Sequence, residues 1–253
     1  MKLMVAMSES KKVLMMNNIC NLLRNNPYPG RGILIACSED AKSIITSYFI
    51  MGRSENSRNR VFEKTVDGIR TRAYDPDKLT DPSLIIYNPV RVLNNHIIVT
   101  NGDQTDTIYE FLSTGSDFCS ALMTRDYEPD APNFTPRISG IIKPDGSYTL
   151  SILKKSNDNS ESCLRSFFEY DMAIPGFGHF ISTYQTDGDP IPSFVGEPIP
   201  IDINVSVGIK GFTDDIWNAL NESNKVSLYT RETFISSGEF NEIIINKQGF
   251  TEH

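Results

Sequence analysis

A chain of 253 residues with 39% hydrophobic and 10% aromatic content can bury one large core or two small ones. The formal charge of −8 and a pI near 5.0 argue against a general nucleic-acid or anionic-membrane surface, which needs a basic face. A small phosphorylated ligand is still allowed, because local arginine clusters decide its binding. The four cysteines (Cys20, Cys37, Cys119 and Cys163) form no Cys-x-x-Cys pair, so free thiols are expected. No window reaches the roughly 18 apolar residues of a membrane span, and Leu3 to Met7 is too short for a signal-peptide core. A cytoplasmic protein is expected.

Taken in order, Ser8 to Asn26 places Val13, Leu14, Ile19, Leu22 and Leu23 on one stripe of an amphipathic helix, with Ser8 or Ser10 as N-cap. Asn25 to Gly30 breaks it. Gly32 to Cys37 reads as a buried strand and Ser43 to Met51 as a second at hairpin distance. That strand delivers the chain into Gly-Arg-Ser-Glu-Asn-Ser-Arg-Asn-Arg, Gly52 to Arg60, which carries Arg53, Arg58 and Arg60. Planar, permanently charged guanidinium groups on a loop after a strand suit an oxyanion clamp; a solvated charged turn is the alternative.

Val61 to Tyr74 predicts a strand with one wet face, and Leu84 to Tyr87 and His96 to Thr100 two more, joined through Asn88-Pro89-Val90-Arg91 and the turn pair Asn94-Asn95. The polar loop Asn101 to Asp106 leads into a helix over Thr107 to Leu112, with Thr105 or Asp106 as N-cap. A second helix is predicted over Ser116 to Asp126, burying Phe118, Leu122 and Met123, and Pro129 and Pro132 end helical structure. Arg137 to Ile142 and Tyr148 to Lys154 form a hairpin about Pro144-Asp145-Gly146, where proline presets φ and glycine accepts φ above zero. Strands follow at Cys163 to Tyr170 and Gly178 to Tyr184, then an extended Asp189 to Pro200 and a helix at Thr213 to Asn221. The last strands are near Val226 to Thr230 and Glu242 to Ile245. Many strands, few helices and no linker predict a single α+β layered domain.

His96, His179 and His253 are isolated and build no metal motif, so no metal site is expected. Gly176-Phe-Gly178 lacks the ending of a phosphate loop and reads as a strand-entry turn, and Cys37 lies in an apolar strand where a thiol stays inert. Four polar segments stand out: the arginine loop, Tyr87-Asn88 with Arg91, Asn101 to Asp106, and Tyr127-Glu128 through Arg137. Each alone fits capping or solvation. Together, at the ends of rigid elements, they supply cations, a phenol, a carboxylate and amides.

In order and approximate spacing, Tyr28-Pro29-Gly30-Arg31, the loop ending at Arg60, Tyr87-Asn88…Arg91, Asn101-Gly102-x-x-Thr105-Asp106 and Asp126-Tyr127-Glu128…Thr135-Pro136-Arg137 resemble the archaeal-type IMP cyclohydrolases. A late Thr183-Tyr184 pair adds to the likeness, which covers about Tyr28 to Asp187. The resemblance implies one domain over residues 1–253, a four-layer αββα sandwich similar to the Ntn-hydrolase fold. Residues 1–27 would be a helical extension, and 188–253 lie outside the match. It also implies closure of a formamidoimidazole-carboxamide ribonucleotide to inosine monophosphate without metal or organic cofactor. Arg60, Tyr87 and Glu128 match the family's active site. Arg31, Arg53 and Arg58 would hold phosphate or ribose, and Asn88, Asn101, Asp106 and Arg137 would bind or order the base. The expected partner is a purine ribonucleotide, with no nucleic acid or membrane; homo-oligomerisation is left open. The chain departs from the family in its longer arginine loop, in Pro89 for a usual cysteine and in Gln104 for a usual histidine. A purine-nucleotide-binding protein that has lost the chemistry is the alternative.

Overall fold

The computed structural model describes residues 17–249 other than 80, 81, 83 and 158. It is an α+β structure built on two seven-stranded sheets. The first contains β1 (Asn17–Asn18), β2 (Arg31–Cys37), β3 (Ser43–Met51), β11 (Phe177–Ser182), β12 (Ile199–Asp202), β13 (Lys225–Phe234) and β14 (Phe240–Asn246), in the order β1-β12-β11-β2-β3-β13-β14. The second runs β10 (Asn159–Tyr170), β9 (Tyr148–Ser156), β8 (Arg137–Ile142), β7 (His96–Thr100), β6 (Val90–Leu93), β5 (Gly68–Ala73), β4 (Arg60–Lys64). Every pairing is antiparallel except β1 with β12.

Alternation along the strands sorts side chains into three apolar clusters. Ile33, Ile35, Tyr48 and Ile50 of the first sheet meet Phe62, Val99, Ile138 and Leu150 of the second. Leu34, Ala36, Ile45 and Phe49, pointing the other way, pack on α1 (Ile19–Arg24) and α5 (Gly208–Ala219) through Ile19, Leu23, Phe212 and Ile216. Ile98, Ile141 and Leu153 of the second sheet pack on α3 (Gln104–Ser113) and α4 (Phe118–Met123). Burial on both faces is why β2 and β3 read as continuous apolar runs.

Several expected elements shift. The predicted caps Ser8 and Ser10, with Val13 and Leu14, lie outside the described residues; α1 starts at Ile19, capped by the Asn18 side chain on Asn21 N–H. Val61 to Tyr74 is two strands, β4 and β5, turning at residues 65–67 because Gly68, at φ +156°, packs against the Val90 carbonyl where a Cβ would lie 2.0 Å from its oxygen. Leu84 to Tyr87 is a turn, not a strand. Its backbone bonds to Thr71, whose hydroxyl donates to Ile85 O and Tyr87 O at 2.6 and 3.1 Å. Val90–Leu93 is the strand instead, and Asn94 and Asn95 close its hairpin with φ of 49° and 62°. Helix α3 starts at Gln104, ahead of the expected Thr107, with Asp103 before it making no side-chain cap. Helix α4 is shorter than expected, capped by Asp117, and turns Met123 to solvent while Ala121 takes the buried place.

Candidate active site

Arg31, Arg60 and Arg137 each open a strand, and Glu128 is reached by a loop; all four are nearly or wholly buried. Burying that many charges needs scaffolding, and the sequence provides it locally. Gly30 adopts φ +78° in front of Arg31, and a Cβ there would lie 2.4 Å from Thr183 Oγ1 and 2.5 Å from the Tyr184 ring. The Arg31 N–H donates to Thr183 Oγ1 at 3.1 Å, tying β2 to the Thr183-Tyr184 segment after β11.

Arg60 is placed by the short helix α2 (Glu55–Arg58), whose capping box pairs Ser54 with Ser57. Its Nε donates to Ser57 O at 2.9 Å, while Nη1 and Nη2 are buried without a partner. Arg31 Nε and Arg137 Nε are unpartnered as well. Buried cationic donors without acceptors are rare in folded proteins, and three around one carboxyl mark a place for an oxygen-rich or anionic ligand.

Glu128 is held through its backbone, which donates to Thr135 O at 2.9 Å; Asp130 in turn accepts from the Thr135 N–H and hydroxyl at 2.6 and 2.5 Å. Burial pushes the Glu128 carboxyl up to about 7, against the opposing pull of Arg31, Arg137 and Arg60. Arg31 stays more firmly charged than an ordinary arginine: burial opposes it, but Glu128 and then Tyr28, Tyr87 and Tyr184 outweigh that. Arg60 shifts downward, through burial first and then repulsion from Arg31. The site thus holds a carboxyl raised toward neutrality, beside cations with free donors.

Tyr87 joins this group by its hydroxyl, 2.8 Å from that of Tyr48 in β3, and its N–H donates to Thr71 Oγ1 at 2.9 Å. Arg137 Nη1 donates to Gln104 Oε1 at 2.6 Å and pairs with Asp103 at 2.7 Å. Gly102 lets them close up, since a Cβ would sit 2.5 Å from Arg137 Nη1, 2.6 Å from Gln104 Oε1 and 3.5 Å from Glu128 Oε1.

Other candidate residues lie differently. Arg53 is exposed, pairs with Asp187 at 2.7 Å and stacks over Tyr28. Arg58 donates Nε to Gly52 O at 2.9 Å and Nη2 to Asn224. Asn101 spends its amide on protein groups, donating to Pro136 O and accepting from the Ile138 N–H and the Gln104 side-chain Nε2. Asn88 and Asp106 bond to each other and, with Arg91 and Asp67, form a separate ion-pair network. Tyr48 and Gln104 were not foreseen as site residues. Tyr48's inward register beside Ile44 and Ile50 in a buried strand is the signal that finds it. Among the described residues no cluster of three or more metal-ligating side chains forms, and no helix is long and apolar enough to cross a membrane.

A family model described as IMP cyclohydrolase-like protein matches residues 28–235. An IMP cyclohydrolase of Methanosphaera stadtmanae is 31% identical over 163 residues, 62% of this chain and 74% of the relative. One of Methanopyrus kandleri is 28% identical over 183 residues, 66% of this chain and 89% of the relative, and one of Halobacterium salinarum 30% over 131 residues, 50% and 63%.

Proposed function

The chain belongs to the IMP cyclohydrolase-like family, and from that premise we propose that it closes 5-formamidoimidazole-4-carboxamide ribonucleotide to inosine monophosphate with loss of water, the last step of de novo purine synthesis. The observation that carries the chemistry is Glu128, a buried carboxyl pushed up to about 7 among Arg31, Arg60 and Arg137. Both reacting groups are on one molecule, so holding the carboxamide nitrogen against the formyl carbon supplies much of the acceleration. As the C–N bond forms, Glu128 takes the amide proton and the formyl oxygen becomes an oxyanion. Tyr87 and the free Nη groups of Arg60 donate to that oxygen, and Glu128 returns its proton to make it a hydroxyl. The C–O bond then breaks as the former formamide nitrogen gives up its hydrogen to form the ring C=N bond, that second proton completing the water that leaves.

Arg31, with its unpaired Nε, holds the anionic ligand, and Arg137 orders the base from its seat on Gln104 and Asp103. Asn88, Asn101 and Asp106 act by shaping the loops, because their polar groups bond to protein. Arg53 and Arg58, engaged by Asp187 and Gly52 O, are at the rim. The reaction as read needs no cofactor. We also read the helices outside two facing sheets as a four-layer αββα sandwich similar to the Ntn-hydrolase fold, forming one domain; the three stacked apolar clusters support this.

The test is direct: incubate the protein with the formylated ribonucleotide and follow inosine monophosphate. Turnover is expected, with Tyr87→Phe lower by about 100-fold, typical of losing one oxyanion donor. Tight binding of the ribonucleotide without turnover would instead identify a silent nucleotide-binding protein.

A further inference from the structure

Tyr48 is a polar group at the site that the chemistry above does not use. Its ring is fully enclosed in β3, 5.7 Å from Phe62, and among the described residues its hydroxyl bonds only to Tyr87 Oη, 2.8 Å away. The charged groups acting on the Tyr48 phenol are Arg31 and Arg60, which can donate but not accept. One phenol therefore donates to the other. Were Tyr87 the donor, the Tyr48 proton would be shut in the core with no acceptor, the costlier arrangement. With Tyr48 as donor, both needs are met, and Tyr87, the less buried of the two at 6% exposed, keeps its own proton for a ligand.

We infer that Tyr48 is a positioning residue: it donates to Tyr87 Oη from the first sheet and thereby aims the Tyr87 O–H at the oxygen that develops charge. This deepens the reading of Tyr87 as an oxyanion donor and rests on it. Burial first, and then Tyr87, hold the Tyr48 phenol well above its ordinary pKa, so it stays protonated and able to donate. The pair also explains why a tyrosine, not phenylalanine, occupies an inward position among Ile44, Ile50 and Phe62.

Two measurements test it. In the full chain carrying tyrosine labelled with carbon-13 at Cζ, in mixed light and heavy water, a hydroxyl locked into donation exchanges slowly and splits its Cζ signal. Assigned through Tyr48→Phe and Tyr87→Phe, Tyr48 should give two resolved lines and Tyr87 one averaged line; the reverse pattern overturns the inference. This needs no turnover, so it stands or falls separately from the proposed reaction. With turnover, Tyr48→Phe should lower kcat about tenfold at unchanged KM, short of the loss from removing the Tyr87 donor itself. It should lower kcat no further in a Tyr87→Phe background. An equal loss in both backgrounds would mark a purely structural role and overturn it.

Discussion

Arg58 and Arg60 are two residues apart on one loop, yet they face opposite physics. Arg58 is exposed, and its donors reach Gly52 O and Asn224; Arg60 is fully buried with Nη1 and Nη2 unpartnered. Helix α2 makes the difference, ending at Arg58 so that the chain turns through Asn59 and enters β4 at Arg60. Charge density on a loop therefore says little about function. What matters is whether a cation's donors are already satisfied, since exposed, paired charges contribute little and buried, unpaired ones are retained for a purpose.

The sharpest way to break this contrast is Arg60→Met, which keeps an apolar stem and removes the buried charge. Activity should fall on the order of 1000-fold, as for loss of oxyanion stabilisation. The thermal midpoint should hold or rise, because an uncompensated charge leaves the core; a large drop in melting temperature would show that Arg60 serves the fold instead.

Glu128→Gln comes next, with about a 100-fold loss in kcat. In the wild type kcat/KM should climb with pH to an inflection at about 7, as the carboxylate forms; that limb should vanish in the variant. Stability should run the other way. The folded carboxyl holds its proton up to about 7 while the unfolded one releases it near 4.5, so stability is full below 4.5 and lost as pH rises to about 7. That loss is on the order of 3 kcal/mol and should be absent in Glu128→Gln, as pH-dependent denaturant titrations would show.

Gly102→Ala tests whether crowding fixes Arg137. The added Cβ meets Arg137 Nη1 and Gln104 Oε1 well inside contact distance, so activity should fall roughly 10- to 100-fold with KM raised. The smallest effects belong to Arg53→Ala and Arg58→Ala, each within about threefold in kcat/KM, since their donors are spent on protein groups. A loss from either as large as from Arg60→Met would overturn the comparison.

Strand runs buried on both faces were legible: Ser43–Met51 and Arg137–Ile142 have the expected bounds, and Gly146, at φ +88°, supplies the expected turn. Leu84 to Tyr87 was not, because its apolar residues satisfy a strand pattern while Thr71 takes their backbone bonds from a neighbouring strand. The motifs that name the family were legible too, since each is a short run of glycine, arginine, tyrosine or glutamate in fixed order. Sequence by itself thus determined most of the continuous strand runs, which family the chain joins and which residue types gather. Only the tertiary structure decided which arginines have free donors and that Tyr48 meets Tyr87. It also decided that Glu128 is buried deeply enough to hold a proton near neutrality. The physical reason is that desolvation and hydrogen-bond satisfaction depend on what two sheets, distant in the chain, place against each side chain, and no local spacing encodes that.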